Sequence, residues 1–260
     1  MKDVITENYQ LLLGDCLERM KEIPSGSVDL ILTDPPFGTT KNKWDSVIPF
    51  EPMWAELKRI VKPNGACVLF SSQPFTTNLI YSNMKCFKYS MVWKKSKCGS
   101  PLTAKYKPLT KHEDVNVFSL HKKTLKYYPQ MSEGKPYKRQ PTKAKSNNHG
   151  YGINNNVFTD NKGTRHPTTI LDYPQQWRRQ DQIHPTQKPV ELIEFLIKSF
   201  SMENETVLDF TAGSFSTGVA SLNTNRKFLG IEMNENYFNI GVNRMCDTSN
   251  GCLNEESIYE

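Results

Sequence analysis

Short apolar runs of strand length alternate along the chain with stretches in which apolar residues recur at helical spacing. Residues 28–33, VDLILT, are apolar almost throughout, as expected for a strand that is covered on both faces. Residues 51–65, EPMWAELKRIVKPNG, have the helical spacing and end in a Pro-Asn-Gly stop signal. Residues 66–72, ACVLFSS, predict the next strand. This order predicts an α/β fold with a mostly parallel sheet.

The same patterns continue on both sides of these segments, with antiparallel strands expected late in the first half. Pro189 suits the first turn of a helix that has a continuous apolar face. Further strands are predicted at 10–14, 88–95, 113–120, 206–210 and 227–233, and further helices at 15–23, 75–84, 189–200, 216–224 and 234–245.

Residues 121–181 interrupt this regular pattern, since they are rich in Lys, Asn, Pro, Thr and Tyr and contain few apolar runs. Between Lys94 and Lys188 the chain has 19 Lys and Arg against 6 Asp and Glu, a net charge of +13, whereas the remainder carries −7. A basic segment favours a polyanion such as nucleic acid, because phosphate contacts release bound counterions. A solvated basic loop is the alternative, and charge alone does not decide between the two.

The composition disfavours several classes of protein and of site. The N-terminus lacks the apolar stretch of a secretory signal, and no run approaches the roughly twenty apolar residues that cross a bilayer. The six cysteines form no Cys-x-x-Cys pair, and the five histidines form no His-Glu-x-x-His motif. We therefore expect a cytoplasmic protein with no disulfide framework, no metal site and no membrane partner.

A turn of small residues joins a predicted strand to a predicted helix at 207–218, VLDFTAGSFSTG. Such a turn can present backbone N–H groups to a nucleotide-like ligand. Glu232 ends the following strand, about twenty residues later, where a carboxylate accepts hydrogen bonds from a ribose in nucleotide-binding sheets. Glycine also occurs in ordinary strand-to-helix turns and Glu232 could cap the next helix, but the turn and the spacing together favour a ligand site.

Asp34, Pro35, Pro36 and Phe37 directly follow the predicted strand at 28–33. Because prolines fix φ and carry no N–H, they leave a rigid group of acceptors, namely the Asp34 carboxylate and the carbonyl groups of Asp34 and Pro35. These acceptors would orient an exocyclic base amine, and the Phe37 ring would stack on the base for about 1–3 kcal/mol. A rigid turn beside a buried phenylalanine is an equally good explanation of the four residues alone.

These four residues resemble the catalytic motif of amino-group DNA methyltransferases that use S-adenosylmethionine. HPTQKP at 184–189, just before the glycine turn, is typical of the permuted β class of that family, and MVWKKS and KPLTKHEDVNVF resemble its sheet-hairpin region. The similarity covers nearly the whole chain apart from roughly 121–181. It implies a Rossmann-like methyltransferase fold with a circularly permuted motif order.

The resemblance also implies roles for individual residues. Asp15 would contact the adenine of the cofactor and Glu232 its ribose. The turn at Gly213 would contact its methionyl part, and Thr186 and Lys188 would lie near its carboxylate. Asp15 could also cap the helix that follows it, and the two roles are compatible. The implied catalytic residues are Asp34, Pro35, Pro36 and Phe37, and further implied cofactor-binding residues are Cys16, Asp209, Phe210, Thr211, Ser214, Ser216 and Thr217.

Two residues depart from the family's pattern. Phe37 replaces the commoner tyrosine, and since stacking needs only the ring, we expect activity to survive. Phe215 stands where the family usually has a second glycine, in a turn that approaches the cofactor closely. Its side chain could obstruct the pocket, or it could point away and pack behind the turn.

The resemblance implies a division of the chain into four parts. Residues 1–95 would be the first part of the catalytic domain, and 96–181 the target-recognition region, including a strand of the hairpin. Residues 182–250 would be the cofactor-binding part, and 251–260 a C-terminal tail. Lysines of the target-recognition region would contact phosphates, and its Asn, Gln and Arg side chains would contact base edges.

The implied reaction is methyl transfer from S-adenosylmethionine to N6 of adenine in double-stranded DNA, after the base is flipped out of the duplex. Asp rather than Ser before Pro-Pro favours adenine, with N4 of cytosine as the alternative. No cysteine lies at the Pro-Pro site, which disfavours the carbon-5 route. A non-catalytic DNA-binding relic with a blocked pocket is the hypothesis from another class, and an RNA substrate is less favoured. Related β-class enzymes are often dimers, so a homodimer is also expected.

Overall fold

The computed structural model describes residues 3–40, 45–99, 101–121, 124–140, 158–175 and 187–249. The chain separates into two compact units. One consists of residues 1–128 and 169–260, and the other is the segment 129–168.

The larger unit contains a nine-stranded sheet. Its strands are β1 Val4–Ile5, β2 Tyr9–Leu13, β3 Val28–Thr33, β4 Val61–Ser71, β5 Phe87–Lys94, β6 His112–Phe118, β11 Ile170–Asp172, β12 Thr206–Asp209 and β13 Lys227–Glu232, in the spatial order β1-β2-β13-β12-β3-β4-β6-β5-β11. The five consecutive strands from β2 to β4 are parallel, whereas β1 and β6 are antiparallel to their neighbours. The predicted α/β class and the late antiparallel additions are confirmed.

Helices cover both faces of this sheet. They are α1 Cys16–Met20, α2 Phe50–Ile60, α3 Phe75–Ser82, α4 Val190–Phe200, α5 Ser216–Asn223 and α6 Glu235–Thr248, with a 3₁₀ turn at Pro101–Thr103. Side chains of β4 alternate between two cores. Cys67 and Leu69 pack in the core of α1, α2 and α3, whereas Ala66, Val68 and Phe70 pack in the core of α4. Because β3 lies in the middle, all six of its residues are buried, which explains its continuous apolar run.

The second predicted helix ends earlier than its sequence suggests. It stops at Ile60, and β4 begins at once with Val61, which pairs with Val28 of β3. The register then shifts before Ala66 pairs with Leu30. Pro63 could not continue the helix, so the Pro-Asn-Gly stop signal lies in an irregular part of a strand rather than at the end of the helix.

The smaller unit consists of short antiparallel pairs. Its strands are β7 Ser132–Glu133, β8 Tyr137–Arg139, β9 Thr159–Asn161 and β10 Thr164–Arg165, with β7 paired to β10 and β8 to β9. The Arg165 guanidinium lies 4.9 Å from the centre of the Tyr137 ring. Strands of two or three residues are too short to show periodicity, which is why the interrupted region of the sequence did not predict them.

The helices in the described parts of the chain are all too short or too polar to span a lipid bilayer.

Candidate active site

Acidic side chains follow or end four neighbouring parallel strands of the sheet. Asp15 comes two residues after β2, Asp34 directly follows β3, Asp209 ends β12 and Glu232 ends β13. Because the carboxyl ends of parallel strands meet at the same edge of a sheet, all four residues line one cleft, with a volume of about 540 Å³.

The structure brings the predicted site residues together at this cleft. Thr186 lies outside the described residues. The other fifteen all line the cleft, namely Asp34, Pro35, Pro36, Phe37, Asp15, Cys16, Lys188, Asp209, Phe210, Thr211, Gly213, Ser214, Ser216, Thr217 and Glu232. Their roles in catalysis and in cofactor binding stay predictions.

Asp34 has one carboxylate oxygen that is paired and one that is not. Oδ2 forms a salt bridge with the Lys188 ammonium group. Oδ1 is buried and has no hydrogen-bond partner within the described ranges. The Asp34 carbonyl accepts a hydrogen bond of 3.2 Å from the Thr211 hydroxyl. A buried acceptor without a donor is costly, so Oδ1 is a natural site for a donor group of a substrate.

The Asp34 side chain belongs to a larger group of buried charges. The Lys188 Nζ lies 3.2 Å from Glu113 Oε2 on β6, and Lys95 pairs with Glu113 Oε1. Burial raises the pKa of Asp34, although Lys188 counteracts part of the shift. Burial alone would lower the pKa of Lys188, but the attraction of Asp34 and Glu113 raises it. Lys188 therefore remains an ammonium ion that is held between two carboxylates, one of which is Asp34.

Phe37 lines the cleft and is only partly buried. Its ring stacks on that of Phe75 in α3, with centroids 5.3 Å apart and planes inclined by 27°. This contact fixes the ring at the wall of the cleft, where an aromatic surface is available for stacking.

Asp15 caps α1, as the second of its two predicted roles required. Its Oδ1 accepts hydrogen bonds from the backbone N–H groups of Leu17, at 2.9 Å, and Glu18, at 3.2 Å. The cap holds the carboxylate at the cleft wall, and it leaves Oδ2 outside the cap.

Glu232 ties the glycine turn to the end of β13. Its Oε2 accepts a hydrogen bond of 2.8 Å from the Gly213 N–H, and its Oε1 accepts one of 2.7 Å from the Asn234 N–H. Gly213 has a φ of +55°, which L side chains rarely adopt, and a Cβ there would meet no atom within 4 Å. The backbone of the turn thus faces open space, as a close-binding turn requires. Burial raises the pKa of Glu232.

Asp209 is a buried carboxylate that accepts hydrogen bonds from two threonine hydroxyl groups, one at the end of β3 and one in the first turn of α5. Its Oδ1 accepts a hydrogen bond of 2.5 Å from the Thr33 hydroxyl, and its Oδ2 accepts one of 2.6 Å from the Thr217 hydroxyl. Burial raises the pKa of Asp209 to about 6, even though these hydrogen bonds oppose the shift. Its position connects β3, β12 and the first turn of α5.

Phe215 points away from the cleft and packs behind the turn. Its side chain is fully buried, and its ring makes edge contacts with Phe228, at a centroid distance of 6.0 Å, and with Phe238, at 5.8 Å. The space for the ring exists because Gly241 of α6 has no side chain. A Cβ at that position would lie 2.1 Å from the ring. The side chain therefore does not block the pocket, which removes the physical basis of the relic hypothesis.

The sequence missed three polar residues that shape the cleft. Asp45 accepts hydrogen bonds from the N–H groups of Gly38, Thr39 and Thr40, at 2.8, 2.9 and 2.6 Å, and so closes the loop after Phe37. Arg244 of α6 donates to the Ser214 carbonyl at 2.5 Å and thereby braces the glycine turn.

The third missed residue is Glu113. It lines the cleft from β6 and faces Lys188. Its only signal in the sequence was the acidic pair Glu113-Asp114 at the start of an otherwise apolar strand.

Comparisons with known proteins agree with this geometry. The DNA adenine methyltransferase YhdJ of Escherichia coli K12 is 28% identical, and the match covers 92% of this chain and 83% of that protein. The type II methyltransferase M.HpaI of Haemophilus parainfluenzae is 27% identical, over 94% of this chain and 76% of that protein.

Two solved structures share the fold. The PvuII DNA methyltransferase, described as cytosine-N4-specific, superimposes with a TM-score of 0.65 at 18% identity, over 96% of this chain and 94% of that one. The M1.HpyAVI complex with S-adenosylmethionine gives a TM-score of 0.62 at 23% identity, over 91% of this chain and 98% of that one.

The sequence model of an N6/N4 methyltransferase family, described as DNA methylase, matches residues 28–243 and so spans most of the chain. The implied family, fold and cofactor are thereby confirmed. The chain belongs to the N6/N4 DNA methylase family, whose members use S-adenosylmethionine to methylate exocyclic amino groups of DNA bases.

Proposed function

We propose that this protein transfers a methyl group from S-adenosylmethionine to N6 of adenine in double-stranded DNA, with the predicted site residues other than Lys188 in the roles that the sequence implied. The observation that carries this proposal is the buried Oδ1 of Asp34 at the wall of the cleft, which has no hydrogen-bond partner in the parts of the chain that the structure describes. An exocyclic amine is the kind of donor that such an acceptor requires.

The cleft suits the cofactor. Its volume of about 540 Å³ lies within the range of about 300–1,000 Å³ that is usual for small-molecule sites. The four acidic residues at the strand ends favour a ligand that carries a sulfonium and an ammonium charge. Each oxygen of Glu232 accepts one hydrogen bond from the backbone, so lone pairs remain for ribose hydroxyl groups. When bound, S-adenosylmethionine supplies an electrophilic methyl group, and its sulfur keeps the bonding electron pair.

Asp34 would act on the amine in two ways. Its Oδ1 would accept a hydrogen bond from the amine and direct the nitrogen lone pair toward the methyl carbon. The nitrogen must lose a proton once it has formed the new bond. The Asp34 carboxylate is placed to accept this proton, because burial raises its pKa. Phe37 would stack on the flipped base.

Adenine is the favoured base because Asp, rather than Ser, precedes Pro35, and because the relative from Escherichia coli is named an adenine methyltransferase. N4 of cytosine is the second candidate, since one structural neighbour is described as cytosine-N4-specific. The amine and the required acceptor are alike in the two reactions, so the geometry of Asp34 suits both.

We also propose that residues 96–181 form the target-recognition region, between the catalytic parts 1–95 and 182–250. The exposed strand β8 supports this, because all three of its residues, Tyr137, Lys138 and Arg139, face solvent and could contact phosphates or bases. A homodimer and a cytoplasmic setting remain part of the proposal.

Mass spectrometry of nucleosides tests the base. DNA from cells that lack their own amino-methyltransferases is incubated with the protein and S-adenosylmethionine, with the Asp34→Asn variant as the inactive control. We expect N6-methyladenine with the wild-type protein and none with the variant. N4-methylcytosine without N6-methyladenine would overturn the choice of adenine, and full activity of the variant would overturn the role of Asp34.

A further inference from the structure

Glu113 and Lys188 are buried, charged and in contact with each other, and only one of them had an implied role. The Lys188 side chain is 7% exposed and that of Glu113 is 12% exposed. The resemblance placed Lys188 near the carboxylate of the cofactor. In the structure its ammonium group donates a hydrogen bond to Asp34 Oδ2.

The three charged groups come from elements that are far apart in the sequence. Asp34 follows β3, Glu113 lies in β6 and Lys188 precedes α4. β4 separates β3 from β6 in the sheet, and the Lys188 Nζ also lies 5.2 Å from the centre of the Phe70 ring of β4. The Lys188 ammonium group therefore lies over β4 and bridges the carboxylates of Asp34 and Glu113, which come from the end of β3 and from β6, the strands on either side of β4.

This arrangement divides the four carboxylate oxygens into different roles. Glu113 Oε1 pairs with Lys95, and Glu113 Oε2 and Asp34 Oδ2 both face Lys188. Of these four oxygens, Asp34 Oδ1 and Glu113 Oε2 have no hydrogen-bond donor among the described residues. Glu113 Oε2 still lies 3.2 Å from the Lys188 ammonium group as an ion pair, whereas the ion pair that Lys188 forms with Asp34 is on Oδ2. If Lys188 were free to rotate, it could pair with either oxygen of Asp34. The second carboxylate holds it on the side of Oδ2.

We propose that Glu113 and Lys188 are positioning residues for the methyl transfer, in which Glu113 holds Lys188 against Asp34 Oδ2 so that Oδ1 stays directed at the amine of the target base. This inference rests on the proposed function of Asp34 and assigns Lys188 to that residue rather than to the cofactor.

The same contacts set the charge of Asp34. The charged groups that face it are Lys188, Glu113 and Lys95, and Asp209 at the end of β12 also interacts with it electrostatically. Lys188 favours the ionised form of Asp34, and the Glu113 charge disfavours it. The two positioning residues therefore act on the pKa of Asp34 with opposite signs, which a purely structural role would not produce.

The test measures single-turnover methylation between about pH 5 and pH 9, with tritium-labelled S-adenosylmethionine at saturation. The substrate is a duplex that carries the site found by modification-sensitive sequencing. The variants are Lys188→Met, Lys188→Arg and Glu113→Gln. Lys62→Met is the matched control, because Lys62 also pairs with a buried aspartate of β3, Asp29, and neither residue lines the cleft.

We expect Lys188→Met to lower the rate by about 10-fold to 100-fold, and Lys188→Arg to restore part of it, since misdirected reacting groups cost about this much. The acid limb of the pH profile should move up by about one unit in Lys188→Met and down by about one unit in Glu113→Gln. The dissociation constant for S-adenosylmethionine should change by less than about threefold in both, since neither change removes a cofactor contact. The control should keep the wild-type rate and profile.

Three outcomes would overturn the inference. A Lys188→Met variant that binds S-adenosylmethionine more than about tenfold more weakly, but reacts normally at saturation, would return Lys188 to the cofactor carboxylate. Unchanged acid limbs in both variants, with Asp34→Asn inactive, would remove the positioning role and leave the proposed function intact. An active Asp34→Asn protein would remove both. If Lys188→Met does not fold, Glu113→Gln, which keeps the shape of the side chain, still tests the proposal. An acid limb that does not move down in this variant would then overturn it.

Discussion

The two ends of β3 carry the same types of residue in different electrostatic states. At the amino end, Asp29 accepts from the Lys62 ammonium group at 2.7 Å and the Thr206 N–H at 3.1 Å through Oδ2, and pairs with Lys126 through Oδ1. Burial alone would raise the pKa of Asp29, but these donors lower it.

At the carboxyl end, one oxygen of Asp34 has no donor within the described ranges, and burial raises the pKa of this residue. The pKa values of Asp209 and Glu232 are raised there for the same reason. Both ends have an aspartate, a lysine and a glutamate in contact, namely Asp29, Lys126 and Glu205 at the amino end and Asp34, Lys188 and Glu113 at the carboxyl end. Such a cluster is therefore not by itself a functional feature. What distinguishes the carboxyl end is an acceptor that the protein leaves unsatisfied next to a cleft.

The largest expected effect separates the two aspartates by activity. Asp34→Asn should lower the single-turnover methylation rate by about 10³-fold, because the amide can no longer act as a charged acceptor. Asp29→Asn should keep the wild-type rate and lower the melting temperature instead, since it breaks contacts far from the cleft. Methylation assays and thermal unfolding of both variants check this. Equal losses of activity would show that the two ends of the strand are not functionally distinct.

A smaller effect concerns the contribution of Phe215, behind the glycine turn, to the stability of the protein. Phe215→Gly restores the residue that the family usually has and relieves a left-handed backbone, with φ of +56°, which costs about 1–2 kcal/mol for a non-glycine residue. The buried ring contributes about 3–5 kcal/mol, so we expect a net loss of about 2 kcal/mol in the free energy of unfolding.

Urea denaturation of Phe215→Gly measures this loss, and calorimetry with S-adenosylmethionine provides the control. The affinity should change little, because the ring lies outside the cleft. A variant as stable as the wild type would contradict the packing role. A large gain in affinity would mean that the ring hinders the cofactor after all.

An effect of similar size is a pH dependence of stability, with opposite signs at the amino and carboxyl ends of the parallel strands. Asp209 titrates at about 6 in the folded protein, above its ordinary value of 3.8. As the pH rises, Asp209 therefore loses its proton at a lower pH in the unfolded chain than in the folded protein. Between about pH 4 and pH 6 the stability of the wild type should fall relative to Asp209→Asn, by about 2 kcal/mol.

Asp29 should behave in the opposite way. Because its folded pKa is lowered, its contribution is present above the ordinary pKa of 3.8 and is lost as the pH falls below that value. Urea denaturation at a series of pH values, for the wild type, Asp209→Asn and Asp29→Asn, checks both signs. Parallel curves for the three proteins would remove the electrostatic difference between the two ends.

Much of the candidate site could be predicted because its residues lie in local motifs. Asp34, Pro35, Pro36 and Phe37 follow one strand, and the glycine turn joins one strand to one helix. Spacing along the chain decides such features, so the sequence showed to within one residue where β3, β12 and β13 would end and which polar groups would stand there.

Glu113, Asp45 and Arg244 were not predicted. Glu113 acts across the sheet and Arg244 reaches from α6 to the glycine turn, whereas Asp45 closes a loop with residues five to seven positions before it. Glu113 reaches the cleft only because β6 lies beside β4 in the sheet, and no local pattern encodes which strand will be its neighbour. The length of α2 was also overestimated, since Val61 pairs with Val28 in the sheet rather than continuing the helix. Strand pairing between distant parts of the chain placed Glu113 at the cleft, and it overrode the local helical preference at Val61.

The sequence by itself determined the class of fold, the strand ends that carry acids, and the family, because these depend on periodicity and on contiguous motifs. Only the tertiary structure decided that Phe215 packs behind its turn, that Lys188 pairs with Asp34, and that Asp34 Oδ1 is left without a donor among the described residues. The physical reason is that burial and hydrogen-bond satisfaction depend on neighbours from distant parts of the chain, which become neighbours only when the sheet has formed.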